Sequence, residues 1–381
     1  MSPPNVGRMR VLHTSDWHVG RTFHGRDLLA DQESVLGGLA DVVAQEQVDV
    51  VVVAGDLYDR AVPSAESVET CGRVLTRIRQ AGAHIVITSG NHDSAQRIGM
   101  FGAFAAAGGL HLRTALADIG RPVVIGDVAF YGVPYLDPEP ARHAFGIAGR
   151  GHSAVLAEAM RRVRADLESR GGVRSVVLAH AFVTGGEGSD SERSITVGGI
   201  EQVPASVFDG VDYVALGHLH GPQRLAQHLR YSGSPLAYSF SEATHRKSVW
   251  LVDLAATGLV EVRRRELPVP RRLATITGRL AEILDDPAHT DLEDCFLSVT
   301  VTDDVRPLDM QRRLQARFPH AVHADWRPAG GRPAELRYAE AVAGRGDNEI
   351  AAGFIADCRG STPTGSEQAL LEKAFVEVAT R

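Results

Sequence analysis

Lysine is nearly missing from this chain. Of 40 basic residues only Lys247 and Lys373 are lysine; the rest are arginine. Arginine suits phosphate recognition because its planar fork grips two oxygens at once, but a GC-rich coding sequence produces the same bias. Cysteine is scarce too. Cys71, Cys295 and Cys358 are far apart and odd in number, which excludes a disulfide framework and a paired-cysteine zinc site. Cys71 falls in register with Val68, Leu75 and Ile78 on a helix-like stretch and reads as core. No apolar run approaches the roughly 20 residues of a membrane span. The opening MSPPNVGRMR lacks the apolar centre of a signal peptide, so the expectation is a cytoplasmic protein with no membrane attachment. A positive balance is also absent. The 40 basic and 47 acidic residues leave −7, which argues against holding nucleic acid by bulk charge. A local basic groove or bound metal ions remain compatible with it.

What is present is an ordinary globular composition, 44% hydrophobic and 23% charged over 381 residues, enough for a large core and more than one domain. Residues 1–8 carry two prolines and no apolar periodicity and are expected to be a disordered extension ahead of Met9. From 9 to 254 strand-like and helix-like segments alternate, the signature of a layered α/β domain. VDVVVVAG (48–55) is a continuous β-branched run, as a strand buried on both faces requires. HIVITSG (84–90), VRSVVLAH (173–180) and VDYVALGH (211–218) repeat the form. Leu28, Val35, Leu36, Leu39, Val42 and Val43 recur at helical spacing. TGGEGSDSERS (184–194) reads as a mobile polar loop.

The pattern changes near LPVPRR, about residue 270. Beyond it LATITG, RLAEILDD, CFLSVTV, PLDMQRRLQARF and AVHADW alternate strand, helix, strand, helix, strand. RPAGGRPAEL and AGRGDNE read as flexible. SEQALLEKAFVEVA (366–379) is a helix with a face of Leu370, Leu371, Phe375 and Val378 and Ser366 as cap. The expected division is therefore 9–270, a smaller α/β unit over 271–345, and a C-terminal segment over 346–381.

Asp16 and His18, in HTSDWHVG, follow the apolar pair Val11-Leu12. One Asp beside one His proves little, since it is commonly a strand-end hydrogen bond. Here the pattern recurs. Asp56 closes the next strand in AGDLYD, and Asn91, His92 and Asp93 follow the third in SGNHD. His180 ends VVLAH, and His218 and His220 end ALGHLH. Each group sits at the C-terminal end of an apolar strand, where α/β sheets collect ligands. The inventory fits two metals: Asp56 bridging, Asp16, His18 and one His of the last pair on one, Asn91, His180 and the other His on the second. Two divalent ions against two carboxylates leave a positive surplus that attracts phosphate. Mostly imidazole ligation favours Mn, Fe, Zn or Co over Mg. The implied chemistry is phosphoester hydrolysis, with His92 placed as general acid. His13 reads as packed beneath the site.

DWH…GDLYD…GNHD…H…GHLH resembles the calcineurin-like metallophosphoesterase superfamily. LHTSDWHVGRTFHGRDLLADQ, VVVAGDLYDRAVPS, SGNHDSAQR, YVALGHLHGPQ and YSGSPLAYSF narrow the resemblance to the SbcD family of bacterial nuclease subunits. It covers 9–254 by motif and the rest by architecture. The resemblance implies a β-sandwich flanked by helices with a smaller α/β capping domain and a C-terminal helical segment. It implies a Mn-dependent 3′→5′ double-strand exonuclease and single-strand endonuclease in DNA repair, recombination and replication. It assigns Asp16, His18 and His220 to one metal, Asn91, His180 and His218 to the other, Asp56 to both, and His92 to the scissile phosphate. Asp59 and Asp93 are expected either to orient the histidines or to brace their own loops, and Arg21 and His24 either to line the DNA path or to sit on a solvated loop. The partners implied are DNA and an SbcC-type ATPase, in a heterotetramer built on a homodimer. The segment RIGMFGAFAAAGG (97–109) is apolar enough to supply a dimer helix, and core packing explains it equally well. No GxxxxGK[ST] run occurs, so ATP would act only through the partner. Two alternatives stand beside this: a small-molecule or phosphoprotein phosphatase with the same centre, and a metal-bearing scaffold without catalysis, which the presence of His92 disfavours.

Overall fold

A strand made almost wholly of valine has no face to offer water, and Val50–Ala54 is buried at every position. In the computed structural model, which describes residues 7–192, 203–328, 342, 344–359 and 361–379, it lies inside a six-stranded sheet. The order is Gly258–Glu266, Ser248–Ala255, Met9–Thr14, Val50–Ala54, His84–Thr88 and Leu110–Leu112. The last four run parallel, and Ser248–Ala255 is antiparallel to both its neighbours. A second six-stranded sheet follows the order Gln223–Arg224, Leu229–Tyr231, Tyr213–Gly217, Arg174–His180, Val128–Val133 and Val123–Ile125. Its four central strands are parallel.

The inner faces meet in one apolar layer. Val11, Val50, Val52 and Val86 of the first sheet pack with Phe130, Val176, Leu178 and Ala215 of the second. The outer face of the second sheet is covered by the helix Gly151–Ser169 through Val155, Ala159, Met160 and Val163. The helix Ala65–Gln80 is capped by Ser64, whose Oγ accepts from the Ser67 N–H, and buries Cys71, Val74 and Ile78. Cys71 is core as expected, but Val68 is 47% exposed; the buried stripe runs through Val74 instead. The apolar series from Leu28 to Val43 forms two helices, Leu29–Gly37 and Leu39–Glu46, parted at Gly38. The architecture is the layered α/β sandwich flanked by helices.

The expected extension over 1–8 needs correction at its end. Arg8 Nη2 donates to Asp253 at 2.6 Å, and the Gly7 carbonyl accepts from Arg174 at 3.0 Å, so both belong to the fold; residues 1–6 lie outside the described residues.

From Arg271 onward the chain forms a second compact unit. Leu273–Gly278, Phe296–Val301 and Ala321–Trp326 make a parallel sheet in chain order, with the helices Leu280–Asp285 and Met310–Arg317 as crossovers. Its core holds Leu280, Ile283, Leu297, Val299, Leu314 and Phe318. Two helices end the chain, Asp347–Arg359 and Gly365–Ala379, clamped by Arg359, whose guanidinium meets both Glu367 oxygens at 2.6 and 3.0 Å. The first begins inside the stretch read as flexible. The second is capped by Thr364 rather than Ser366: Thr364 and Glu367 exchange bonds in a capping box. Of its apolar face, Leu371 and Phe375 are half-buried and Leu370 is exposed; the Val378 side chain lies outside the described residues.

Candidate metal centre

Parallel pairing sets the strand ends level. Thr14 pairs with Val53 and Val53 with Ile87 in one sheet, and Gly217 with His180 in the other. The residues just past these ends therefore gather at one rim of the sandwich. Four of them carry backbone strain: Asp16 (φ 53°), His18 (φ 45°), Asp56 (φ 49°) and His218 (φ 109°) occupy the left-handed half of conformational space. Such residues cost on the order of 1–3 kcal/mol each and persist only where neighbours over-determine them. Here they are so held. Asp16 N–H donates to the Gly55 carbonyl at 3.1 Å and His18 N–H to that of Asp56 at 3.0 Å. The His218 N–H reaches both oxygens of Asp16, at 3.0 and 3.2 Å. Gly217 makes the approach of the sheets feasible, since a Cβ there would strike the Ala54 carbonyl and the His180 ring.

Inside the rim, lone pairs face one another. His180 Nδ1 lies 3.0 Å from the Ala54 carbonyl, an acceptor only, so its proton sits there. The Nε2 then faces Asn91 Oδ1 at 2.9 Å and Asp56 Oδ2 at 3.4 Å. Asn91 turns its oxygen to this cluster, while its Nδ2 is buried without a hydrogen-bond partner. His18 Nε2 and His220 Nε2 stand 3.1 Å apart, with Asp56 Oδ2 3.6 Å from the former. Ligand atoms lie mutually within 4.8 Å in three groups among the described residues: Asp16, His18 and His220; Asp16, Asp56 and His180; His18, Asp59 and His92. His218 flanks them, its ring centre 5.4 Å from that of His180.

The electrostatics agree at His18 and His218, while at His180 a cation would have to displace an Nε2 proton that Asp56 holds. Burial strips protons from imidazoles: His218 is lowered to about 3, and His18 falls well below its ordinary value. Burial alone would do the same to His180, but Asp56 beside it holds it up, to about 9. Burial would also raise both carboxylates. It wins at Asp16, pushed up to about 6, whereas at Asp56 burial, the largest single influence, is outweighed by His180, His18 and His92 together, and the carboxyl stays well below the usual range. Buried acceptors converging on one spot, with one orphaned amide beside them, fit divalent cations held by nitrogen and oxygen.

The remaining site residues divide. His92 donates its N–H to Asp56 Oδ1 at 2.8 Å, and its Nδ1 meets the Asp59 carbonyl at 2.8 Å. The Asp59 carboxylate lies 3.6 Å from His18 Nδ1 and 3.6 Å from Arg21 Nη1. Asp93 takes the second of its two expected roles, in the loop. Its carboxylate accepts the backbone N–H groups of Leu57, Tyr58 and Gly90, at 3.1, 3.0 and 2.9 Å, and so braces two loops rather than a histidine. Arg21 is pinned, donating to the Ser191 carbonyl at 2.8 Å and lying over the Tyr238 ring. His24 is exposed on the Thr22–Phe23 and Arg26–Asp27 hairpin, against Phe23 and Phe240. His13 is buried, bonded to Tyr213 Oη at 2.9 Å and the Leu216 carbonyl at 3.1 Å.

Residues 9–222 match the family described as calcineurin-like phosphoesterase, more than half of the 381-residue chain. The chain belongs to that family. Residues 269–358 of this phosphoesterase match a second one, SbcD_C, described as the type 5 capsule protein repressor C-terminal domain. Among solved structures it is similar to TT1561 of Thermus thermophilus, at 13% identity over 67% of this chain and 98% of that one, TM-score 0.40. Purple acid phosphatase PPD1 from yellow lupin (Lupinus luteus) seeds aligns at 14% identity over 68% and 51%, TM-score 0.39. A dimetal phosphatase from Danio rerio aligns at 13% over 68% and 98%, TM-score 0.37.

Several residues of the phosphoesterase site carry no spacing signal in the sequence. Gln32 Nε2 donates to the His18 carbonyl at 2.8 Å and to Tyr238 Oη at 3.0 Å, from within a helix. Ser191, inside the stretch read as a mobile loop, is buried against His220 Nδ1 at 2.6 Å. Behind it Glu242 is ion-paired with Lys247.

Proposed function

We propose that this phosphoesterase is the nuclease subunit of an SbcD-type complex, hydrolysing DNA phosphodiesters at two divalent metal ions, Mn2+ by preference. The observation that carries the reading is the convergence of Asp16, His18, Asp56, Asn91, His180 and His220 into one buried acceptor cluster, with His218 beside it. In the proposed assignment Asp56 is shared, Asp16, His18 and His220 hold one ion, and Asn91, His180 and His218 the other. Bound there, the ions would supply Lewis acidity toward a phosphate and its attacking water. The protein does the rest. Asp56 Oδ1 holds the His92 backbone and the Asp59 carbonyl accepts from Nδ1–H, so in the imidazolium form, with both ring nitrogens protonated, Nε2–H is the proton given to a leaving oxygen.

Nuclease rather than phosphatase activity is supported by the match of residues 269–358 and by the motif flanks. The finer reading is a 3′→5′ duplex exonuclease and single-strand endonuclease, acting in the cytoplasm with an SbcC-type ATPase in repair and recombination. Met100, Phe101 and Phe104 are 68%, 62% and 80% exposed on one short stretch, an apolar patch that suits pairing with a second copy. No described helix is long and apolar enough to cross a membrane.

The test is cleavage of end-labelled duplex and of single-stranded circular DNA with Mn2+, with and without the ATPase, beside hydrolysis of nitrophenyl phosphate. DNA cleavage with label loss from the 3′ end supports the reading. Monoester hydrolysis with intact DNA makes the chain a phosphatase.

A further inference from the structure

His220 is the proposed ligand with the most elaborate support, and that support comes from segments the metal motifs do not include. Its Nδ1 lies 2.6 Å from Ser191 Oγ, and Ser191 Oγ also bonds Glu242 Oε1. Glu242 is buried and paired with Lys247, so its carboxylate only accepts. The single Ser191 proton must therefore go to Glu242, and Ser191 must accept from His220. That places the His220 proton on Nδ1 and leaves Nε2 bare, 3.1 Å from His18 Nε2. Only this tautomer offers a lone pair to a cation from Nε2.

The backbone of His220 is held from the same side. Its N–H donates to Glu192 Oε1 at 2.8 Å, and its carbonyl accepts from Lys247 Nζ at 3.0 Å. Ser191 and Glu192 belong to a loop seated by further bonds, among them Glu187 N–H to Gln223 Oε1 at 2.7 Å, Gln223 Nε2 to the Glu187 carbonyl at 2.6 Å and Asp190 N–H to Ser241 Oγ at 3.0 Å. A loop of glycine, serine and acid, with few apolar anchors, thus supplies both the group that sets the ring's tautomer and the one that sets its backbone.

We propose that Ser191 and Glu242 are positioning residues that fix His220 in its cation-binding tautomer, so that the 184–192 loop must be seated for the centre to retain metal. This rests on the two-cation reading above. Outer partners of ligating histidines are typically worth about 10–100-fold in metal affinity. Ser191→Ala removes the acceptor without adding bulk, and Ser191→Thr restores the hydroxyl.

The full chain is stripped with chelator and titrated with Mn2+ alone by calorimetry, beside melting in chelator. The His220 imidazole is read by 15N NMR in the metal-free protein. Wild type should show the proton on Nδ1. Ser191→Ala should melt with wild type, lose that single tautomer, and bind one Mn2+ about 10–100-fold more weakly. Ser191→Thr should recover both. A Ser191→Ala protein with wild-type Mn2+ affinity and an unchanged His220 tautomer overturns the proposal. Because a destabilised Ser191→Ala would blur the affinity, Glu242→Leu/Lys247→Met, which removes the buried pair as a neutral whole together with the acceptor of the Ser191 proton, is the second variant, with the same loss of a single His220 tautomer expected. Failure of wild type to take up Mn2+ would instead sink the two-cation reading, and the tautomer measurement still decides the relay.

Discussion

His92 and Asp56 touch, yet their removal should have opposite signatures. His92 is tied to the cluster through its backbone N–H, which any residue keeps. His92→Ala should therefore retain two Mn2+ while turnover falls by about 10²–10⁴, the usual worth of a positioned acid. Metal content of the purified variant checks this, and loss of an ion would make His92 a ligand. Asp56 faces both His18 and His180 with one oxygen, so Asp56→Ala should empty both sites; two tightly retained ions would end the bridging assignment. His13 gives a third test, by pH. Burial lowers it from 6.5 to about 3. As pH falls below 6.5 the unfolded chain takes up this proton first, so stability is full above 6.5 and is lost toward 3. In chelator, the unfolding free energy of His13→Gln should fall less steeply between about pH 6 and 4.5, by up to about 1.4 kcal/mol per pH unit. Urea titrations across that range measure it, and equal slopes would mean that His13 does not carry this cost.

Elements position the centre more than individual side chains do. The apolar strands were legible because continuous valine and isoleucine runs report burial on both faces, and their polar sequels therefore reported the rim. Which polar residues gather at the rim is readable for the same reason. What could not be read is how the rim is held. Left-handed backbone at Asp16, His18, Asp56 and His218 has no one-dimensional signature outside glycine, and Gln32, Ser191 and Glu242 reach the site from segments distant in sequence. TGGEGSDSERS reads as mobile because composition reports its polarity but not that, among its described residues, Ser191 and Glu192 are engaged by His220. Which of its two roles Asp93 takes could not be read either, because proximity in sequence does not show that three backbone N–H groups claim it. Gly217 is the element-scale test. Its missing Cβ lets Tyr213–Gly217 close on Val50–Ala54. Gly217→Ala should destabilise the phosphoesterase unit by about 1–3 kcal/mol, the usual cost of overpacking, and weaken Mn2+ binding through His180. Denaturant midpoints with and without Mn2+ measure both; a neutral substitution would show that the two sheets can part without harm.

At the scale of the whole molecule, all the proposed ligands precede residue 221, within the unit that ends at Pro270. The two last helices bear none of the chemistry. They pair through the Arg359–Glu367 clamp, and leave Phe354, Leu370 and Val376 64%, 67% and 64% exposed. Such residues on a helical hairpin are costly in water unless something covers them. The partner ATPase of the proposed complex is the natural occupant, since the helix-in-groove mode needs only an apolar face of this kind. Truncation after residue 345 should then leave Mn2+ binding and single-strand cleavage by the isolated chain unchanged. It should also weaken co-purification with the ATPase and lose ATP-dependent processing of duplex ends. The melting profile decides between docking and folding. If the truncated chain loses the transition of its first unit, or still captures the ATPase at full affinity, the helices serve the fold of this chain and the docking role falls.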